Sequence, residues 1–311
     1  MTVQEAKAFA KASLTSSPSP LLDAEVLLME VTSLSKTQLL FERDRILSEK
    51  EENLFKSFIE KRKTGLPVAY ITCHKEFYGY DFFVTQDVLI PKPDTELLVE
   101  KALETIEEKL AVNQKKILTV CDMCTGSGCV GLSIIRQVKD RNLTCEENMI
   151  CLVMADISGK ALEVAKKNAD KLVPDLIQKG CIHFIRTNLF ELAQGSYDII
   201  VSNPPYVPKK EALELLRDGR NEPLLALDGD VLPNGENSFS DDGLEIMRNL
   251  VPQAKENLTE GGVLLAESGE YNAEETKKIF EKAGLKNTEI FKDLEGQLRV
   301  TKGIKKGILE N

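Results

Sequence analysis

Hydrophobic positions recur at helical spacing through the first 72 residues of the chain. The segments 23–29 and 50–59 show it most clearly, with Leu and Ala spaced among Glu and Lys. This spacing places the apolar side chains on one face of each helix. We therefore predict a small helical bundle over residues 1–72.

The pattern changes after residue 72. Residues 76–90 are rich in aromatic and β-branched side chains, and Gly79 separates Phe77-Tyr78 from the run that begins at Tyr80. Two β-forming runs around a glycine predict a β-hairpin. We assign this hairpin to a linker over residues 73–92, which joins the bundle to a larger domain over residues 93–311.

From about residue 93 onward, helical patterns alternate with apolar runs. This alternation is typical of an α/β fold, in which a Rossmann-like open sheet carries helices on both faces. Two late strands are expected within 288–301, with Gly296 in the turn and the last strand antiparallel. The other predicted elements are helices Thr95–Leu110 and Gly159–Leu172, and strands 117–121, 150–155, 181–185, 197–202 and 262–267.

The tetrapeptide Asn203-Pro204-Pro205-Tyr206 follows the predicted strand 197–202. An Asn side-chain oxygen and a proline carbonyl can accept the two N–H bonds of a planar amide-type nitrogen, because proline carries no N–H of its own. Tyr206 adds a flat face for stacking. Taken alone, the tetrapeptide fits a methylation site for such a nitrogen and a simple proline-rich turn equally well.

A glycine-rich segment, 124–131, follows the predicted strand that begins at residue 117 and leads into a helix near Val130. Its glycines let a nucleotide-like cofactor approach the backbone closely. The next strand ends at Asp156, where a carboxylate can bind ribose hydroxyls. This spacing fits NAD and S-adenosylmethionine alike.

The charge of the cofactor distinguishes these two alternatives. A pyrophosphate prefers positive surroundings, whereas the sulfonium and ammonium of S-adenosylmethionine suit Asp122 at the tip of the first strand. A dehydrogenase also needs a proton-transfer residue, and His74 and His183 lie in no recognisable motif. We therefore predict methyl transfer. Asp122, Asp156 and Asn203 should meet beyond the carboxyl ends of the strands.

The amino-acid composition of the chain limits the kinds of partner that the protein is expected to bind. The chain has 50 Asp and Glu against 40 Lys and Arg, a net charge of −10, so binding to nucleic acid is not expected. It shows no run of about 18 apolar residues and no signal-peptide pattern, which favours a cytoplasmic protein without a membrane partner. The odd total of seven cysteines favours reduced thiols. Cys121 and Cys124 lack a second pair at ligand spacing, so no metal site is predicted.

Several segments together resemble one family. Residues 22–28, 62–71, 76–79 and 90–96, combined with the tetrapeptide at 203–206, resemble the peptide chain release factor glutamine methyltransferases of the PrmC/HemK type. The tetrapeptide alone is shared with many amino-methyltransferases that act on DNA and RNA. The flanking segments therefore carry the specificity of the resemblance.

The resemblance implies a class I methyltransferase domain that transfers a methyl group from S-adenosylmethionine to the N5 amide nitrogen of the glutamine in the GGQ motif of class 1 release factors. The second product would be S-adenosylhomocysteine. Asn203, Pro204 and Tyr206 would be catalytic, and together with Pro205 they would bind the glutamine. The cofactor would be bound by Asp122, Cys124, Thr125, Gly126, Ser127, Gly128, Asp156, Leu189 and Asn203.

The chain departs from the family pattern at five positions. Cys73 and Cys124 stand where glycine is expected, Lys92 where arginine is expected, and Asn272 where glutamine is expected. Asn188 replaces a usual acidic residue before the adenine contact, although its amide oxygen can still accept a hydrogen bond. These changes leave the motifs recognisable.

The sequence leaves open two alternative functions and the role of one loop. The chain could be an amino-methyltransferase acting on adenine or guanine, or a non-catalytic S-adenosylmethionine-binding partner of a translation factor. Residues 228–242, rich in Gly, Asn, Ser and Asp, predict a mobile loop beside the site, for which a lid role is a hypothesis.

Overall fold

The computed structural model describes residues 1–112, 117–143, 149–217, 221–232, 235–236, 238 and 240–307. The described residues form two compact units. The first comprises residues 1–74 and the described part of 214–221, and the second comprises the described parts of 75–213 and 222–311. The three-part division at residues 72 and 92 stays a prediction.

The first unit is helical, as predicted. Three of its helices begin at capping boxes. In two of these, Thr2 and Ser48 each exchange side-chain and backbone hydrogen bonds with a Glu three residues later. These contacts satisfy backbone N–H groups that a helix start leaves free. The core contains Leu27, Phe55 and Ile59, all fully buried. The helices are α1 (Val3–Ser13), α2 (Pro20–Thr32), α3 (Lys36–Phe41), α4 (Glu49–Lys63) and α5 (Val68–Thr72).

A short two-stranded sheet follows, formed by β1 (His74–Phe77) and β2 (Tyr80–Phe83). The turn between them places Gly79 at φ +78°, a conformation that glycine adopts without steric cost. Phe77 and Phe82 are fully buried, and their rings meet edge to face with centroids 6.1 Å apart. The predicted hairpin is thus confirmed.

The remaining elements alternate between helix and strand. They are α6 (Glu96–Val112), β3 (Ile117–Met123), α7 (Cys129–Asp140), β4 (Met149–Asp156), α8 (Gly159–Leu172), α9 (Pro174–Gln178), β5 (Ile182–Arg186), β6 (Tyr197–Ser202), α10 (Lys209–Arg217), α11 (Glu245–Asn257), β7 (Leu258–Glu267), α12 (Ala273–Lys282), β8 (Lys286–Lys292) and β9 (Leu298–Ile304).

Seven strands of the described chain form one sheet in the order β5-β4-β3-β6-β7-β9-β8. Strands β3 to β7 pair in parallel, and β9 runs antiparallel to β7 and β8. The chain moves outward from β3 to β5 and then returns to β6 on the other side of β3. This reversal is the point at which open α/β sheets bind ligands.

Alternate residues of each central strand enter cores on opposite faces of the sheet. Val120 and Ile199 pack with α6 and α7 on one face, whereas Cys121 and Ile200 pack with α11 and α12 on the other. Burial on both faces explains why these strands read as continuous apolar runs. The predicted α/β architecture, with its antiparallel last strand, is confirmed.

Several element boundaries differ from the sequence prediction by one to four residues, and two of these differences bear on the site or have a local cause. Strand β7 begins at Leu258 rather than at residue 262, because Gly261 and Gly262 interrupt the apolar pattern that a strand shows. Thr95 belongs to a 3₁₀ turn (Pro93–Thr95), and α6 begins only at Glu96.

Candidate functional site

A cavity of about 650 Å³ opens at the carboxyl ends of β3, β4 and β6. Asp122, Asp156 and Asn203, which end or follow these strands, all line it. The predicted convergence of these side chains is therefore present. Other predicted site residues on its wall are Cys124, Thr125, Gly126, Ser127, Leu189 and Pro205.

Three predicted residues lie outside the cavity lining, although they adjoin it in the chain. Gly128 is the N-cap of α7, Pro204 is buried, and the half-exposed Tyr206 directs its hydroxyl to Glu267. A substrate that contacts Pro204 or Tyr206 would therefore have to extend beyond the residues that line the cavity.

Asp122 is a buried carboxylate at the end of β3. Its Oδ2 accepts hydrogen bonds from the Thr125 hydroxyl at 2.6 Å and from the Gly131 amide at 3.0 Å. A Cβ on residue 131 would lie 2.9 Å from the same oxygen, so only glycine permits this approach. Burial raises the pKa of Asp122 to about 7, although these two hydrogen bonds oppose the rise. The cavity floor thus offers a carboxylate that a cation would stabilise.

The turn after β3 uses left-handed backbone at Cys124 (φ +62°) as well as at Gly126 and Gly128. Left-handed φ disfavours side chains with a Cβ, which explains why glycine suits position 124. The Cys124 side chain packs against the core between the sheet and α11. At Gly128 a Cβ would come within 2.6 Å of the Met154 side chain. The turn therefore depends on glycine at position 128 for packing as well as for conformation.

Asp156 connects the end of β4 to this turn. Its Oδ2 accepts the Gly126 amide and its Oδ1 accepts the Ser158 amide, each at 2.9 Å. Burial raises the pKa of the Asp156 carboxyl. Because each oxygen keeps a second lone pair, the carboxylate can also accept hydroxyl groups from a ligand.

Leu189 also lines the cavity, and its backbone has φ +48°. A left-handed conformation is costly for leucine, and such strain is found most often at functional sites. The neighbouring Asn188 also lines the cavity, and its Nδ2 donates to the Glu191 carboxylate at 3.2 Å.

Asn203 and Tyr206 are held by residues from distant parts of the chain. Nδ2 of Asn203 donates to the Thr95 hydroxyl at 3.0 Å, and the Tyr206 hydroxyl donates to Oε1 of Glu267 at 3.1 Å. The Tyr206 carbonyl accepts hydrogen bonds from the Tyr271 hydroxyl and from Nδ2 of Asn272, both at 3.1 Å. The loop is therefore fixed by side chains as well as by its prolines.

The roles of Thr95, Glu267 and Tyr271 at this site were not predicted from the sequence. Thr95 lies in the segment 90–96, and Glu267 lies just before the turn that leads to position 272. Both segments belong to the family pattern, so that pattern was the only signal in the sequence that could have pointed to these residues. At position 272, asparagine makes the contact to Tyr206 although a glutamine was expected there.

The described residues give little support for catalysis by a histidine, a thiolate or a metal ion. His74 and His183 are exposed. Burial raises the pKa of both Cys121 and Cys124, so these thiols stay protonated near neutral pH. No group of three His, Cys, Asp or Glu side chains within the described ranges is arranged to hold a metal ion. The predicted mobile loop at 228–242 lies partly outside the described residues, at 233–234, 237 and 239.

Comparison with known proteins identifies two family domains in the chain. The PrmC N-terminal domain matches residues 5–72, and the methyltransferase small domain matches residues 95–222. Among solved structures, the hMettl16 catalytic domain in complex with MAT2A 3'UTR hairpin 6 has a TM-score of 0.51. The match covers 78% of this chain and 80% of that one at 12% identity, which supports the fold alone.

Curated relatives match over nearly the full length. The release factor glutamine methyltransferase of Leptospira interrogans is 36% identical over 285 residues, which are 91% of this chain and 90% of that protein. The protein of the same name from Borreliella burgdorferi is 35% identical over 275 residues, or 88% and 86% of the two chains. These matches confirm the resemblance read from the sequence motifs: the chain belongs to the release factor glutamine methyltransferase family.

Proposed function

We propose that this protein transfers a methyl group from S-adenosylmethionine to the N5 side-chain amide nitrogen of the glutamine in the GGQ motif of class 1 peptide chain release factors. One observation carries the proposal: Asn203 lies on the wall of an acidic cavity, and its Nδ2 already donates a hydrogen bond to Thr95. The relatives' names supply the substrate class.

The cavity suits a cationic nucleoside. Asp122 is a buried carboxylate whose pKa is raised to about 7, and it would hold the ammonium group. Asp156 would accept the ribose hydroxyls, the turn from Cys124 to Gly128 would follow the cofactor closely, and Leu189 would flank the adenine. The cofactor would supply a methyl group on a sulfonium, which leaves as the neutral thioether of S-adenosylhomocysteine.

The tetrapeptide would hold the glutamine. Because Nδ2 of Asn203 is directed to Thr95, its Oδ1 would accept one amide N–H of the substrate, and the Pro204 carbonyl would accept the other. Pro205 and Tyr206 would complete the binding surface. Two acceptors orient the nitrogen lone pair toward the methyl group, so catalysis rests on positioning and electrostatics. As the N–C bond forms, the nitrogen would lose one of its two protons to water, and the sulfonium would leave as the thioether.

The substrate is proposed to be a protein rather than a nucleic acid. The net charge of −10 opposes contact with a phosphate backbone, since such contacts depend on cationic side chains. No helix in the described part of the chain is long and apolar enough to cross a membrane. A cytoplasmic location, where release factors act, is part of the proposal.

The proposal can be tested with radiolabelled S-adenosylmethionine. Purified release factor and total RNA are incubated in parallel with the wild-type protein and with Asn203→Ala. We expect label in the release factor, reduced by at least about 100-fold in the variant because one of two amide acceptors is lost. Label in RNA and none in the factor would support the nucleic-acid alternative. Factor binding without labelling of either would support the non-catalytic alternative.

A further inference from the structure

Each end of the tetrapeptide is held by one polar side chain from a distant part of the sequence. Asn203 donates through Nδ2 to the Thr95 hydroxyl at 3.0 Å, and Tyr206 donates through its hydroxyl to Oε1 of Glu267 at 3.1 Å. Thr95 comes from the turn before α6, and Glu267 ends β7.

Each contact sets the orientation of the group that donates it. The Thr95 oxygen accepts the Asn203 N–H through a lone pair, and this contact keeps Nδ2 toward Thr95 and Oδ1 away from it. An ionised Glu267 carboxylate only accepts hydrogen bonds, so it keeps the Tyr206 hydroxyl directed toward it.

Glu267 lies in a setting that is costly for a charge. Its side chain is buried, and Oε2 has no hydrogen-bond partner among the described residues. Burial raises the pKa of Glu267 to about 7, while Thr95, Tyr206 and the positive charge of Arg299 oppose the rise and Asp94 adds to it. Arg299 itself is engaged by Asp293 and Asp94. Within the part of the chain that the structure describes, no ion pair to Glu267 offsets this cost, and a buried acid of this kind calls for a function.

We propose that Thr95 and Glu267 are positioning residues that set the orientation of the Asn203 amide and of the Tyr206 ring for amide methylation. The inference rests on the proposed function for its substrate, but the two hydrogen bonds can be observed without substrate. Neither residue is expected to touch the reacting atoms.

Thr95→Val tests the first link, because valine keeps the shape of threonine and removes its hydroxyl. We expect kcat on release factor to fall by about 10–100-fold, in line with the cost of a misplaced reacting group, with the cofactor Kd changed by less than about threefold. Thr95→Ser, which restores the hydroxyl, should recover most of the loss. A kcat for Thr95→Val equal to that of the wild type would overturn the proposal.

Glu267→Gln tests the second link through the pH profile. With saturating cofactor, the wild-type kcat should rise with pH through about 7 as Glu267 loses its proton and becomes a pure acceptor. Saturation removes the contribution of Asp122, which titrates in the same range but acts through cofactor binding. The Gln variant should be slower and nearly independent of pH between about 6 and 8. An unchanged rise in the variant would refute the role of Glu267.

A spectroscopic measurement separates this proposal from the proposed function. In protein labelled with ¹⁵N-asparagine, the Asn203 side-chain signal is assigned by its loss in Asn203→Ala. We expect one Nδ2 proton to be protected from exchange in the wild type, and this protection should vanish in Thr95→Val. Absence of protection in the wild type would refute the positioning role of Thr95, whether or not methylation is observed; protection without methylation would refute only the function.

Discussion

Replacing Asp122 by Asn should stabilise the ligand-free protein while weakening cofactor binding. Both hydrogen bonds that Asp122 accepts end on one oxygen, Oδ2. An asparagine with its carbonyl oxygen in that position can therefore keep both bonds. The substitution removes mainly the cost of a buried charge, which is what raises the pKa of Asp122 from 3.8 to about 7.

The magnitude follows from this pKa shift. An acid whose folded-state pKa is raised stabilises the fold fully below its unfolded pKa and loses that contribution as pH rises through the folded value. Three pKa units correspond to about 4 kcal/mol, an upper value for the penalty above pH 7. The stability difference between Asp122→Asn and wild type should therefore grow by about 2–3 kcal/mol between pH 5 and pH 8.

Urea unfolding of both proteins at pH 5 and pH 8, followed by far-ultraviolet circular dichroism, measures this difference, and other titrating groups cancel in the comparison. Calorimetry with S-adenosylhomocysteine should show affinity reduced by about 10–100-fold, the value of one charged hydrogen bond. A stability difference that does not change with pH would refute the burial argument. An unchanged affinity would refute the ammonium-binding role.

Three further substitutions test the local structure by urea unfolding and ligand calorimetry. Cys73→Gly should stabilise the first unit by about 0.5–1 kcal/mol, because residue 73 has φ +59° and glycine removes the left-handed strain; Cys73→Ala, which keeps the Cβ, should not. Gly128→Ala should destabilise by about 2–3 kcal/mol and weaken cofactor binding, since its Cβ would meet Met154 at 2.6 Å at φ +82°. Asp23→Ala should cost about 2–3 kcal/mol, because it breaks a mostly buried ion pair with Arg62 at 2.8 Å; a loss under about 0.5 kcal/mol would contradict that estimate.

Much of the fold could be predicted from the sequence because its signals are local. Strands buried on both faces give continuous apolar runs, and the residues at their carboxyl ends must share one edge of a parallel sheet. The order of strands and acidic residues along the chain is therefore enough to place Asp122, Asp156 and Asn203 around one cavity. A glycine in a left-handed turn is also a local signal. The cysteine at position 124 is therefore conspicuous in the sequence, because it stands where glycine is expected.

The supporting residues could not be predicted in the same way. Thr95 and Glu267 are far apart in the chain, and each contacts the tetrapeptide only through the tertiary fold, in which β7 pairs beside β6 and Thr95 lies in the turn before α6. Nothing in their local sequence marks them as partners. The helical pattern predicted that Thr95 lies in a helix. In the structure it lies in a 3₁₀ turn, and its hydroxyl accepts a hydrogen bond from Asn203.

We propose methylation of the amide nitrogen of one glutamine as the activity of this site. Tandem mass spectrometry of a release factor after incubation with this protein and S-adenosylmethionine tests that activity, with a factor in which the GGQ glutamine is changed to Glu as the matched control. We expect a single methyl group, localised to the side chain of that glutamine and absent from the control. A methyl group at any other residue, or equal labelling of the control, would refute this activity.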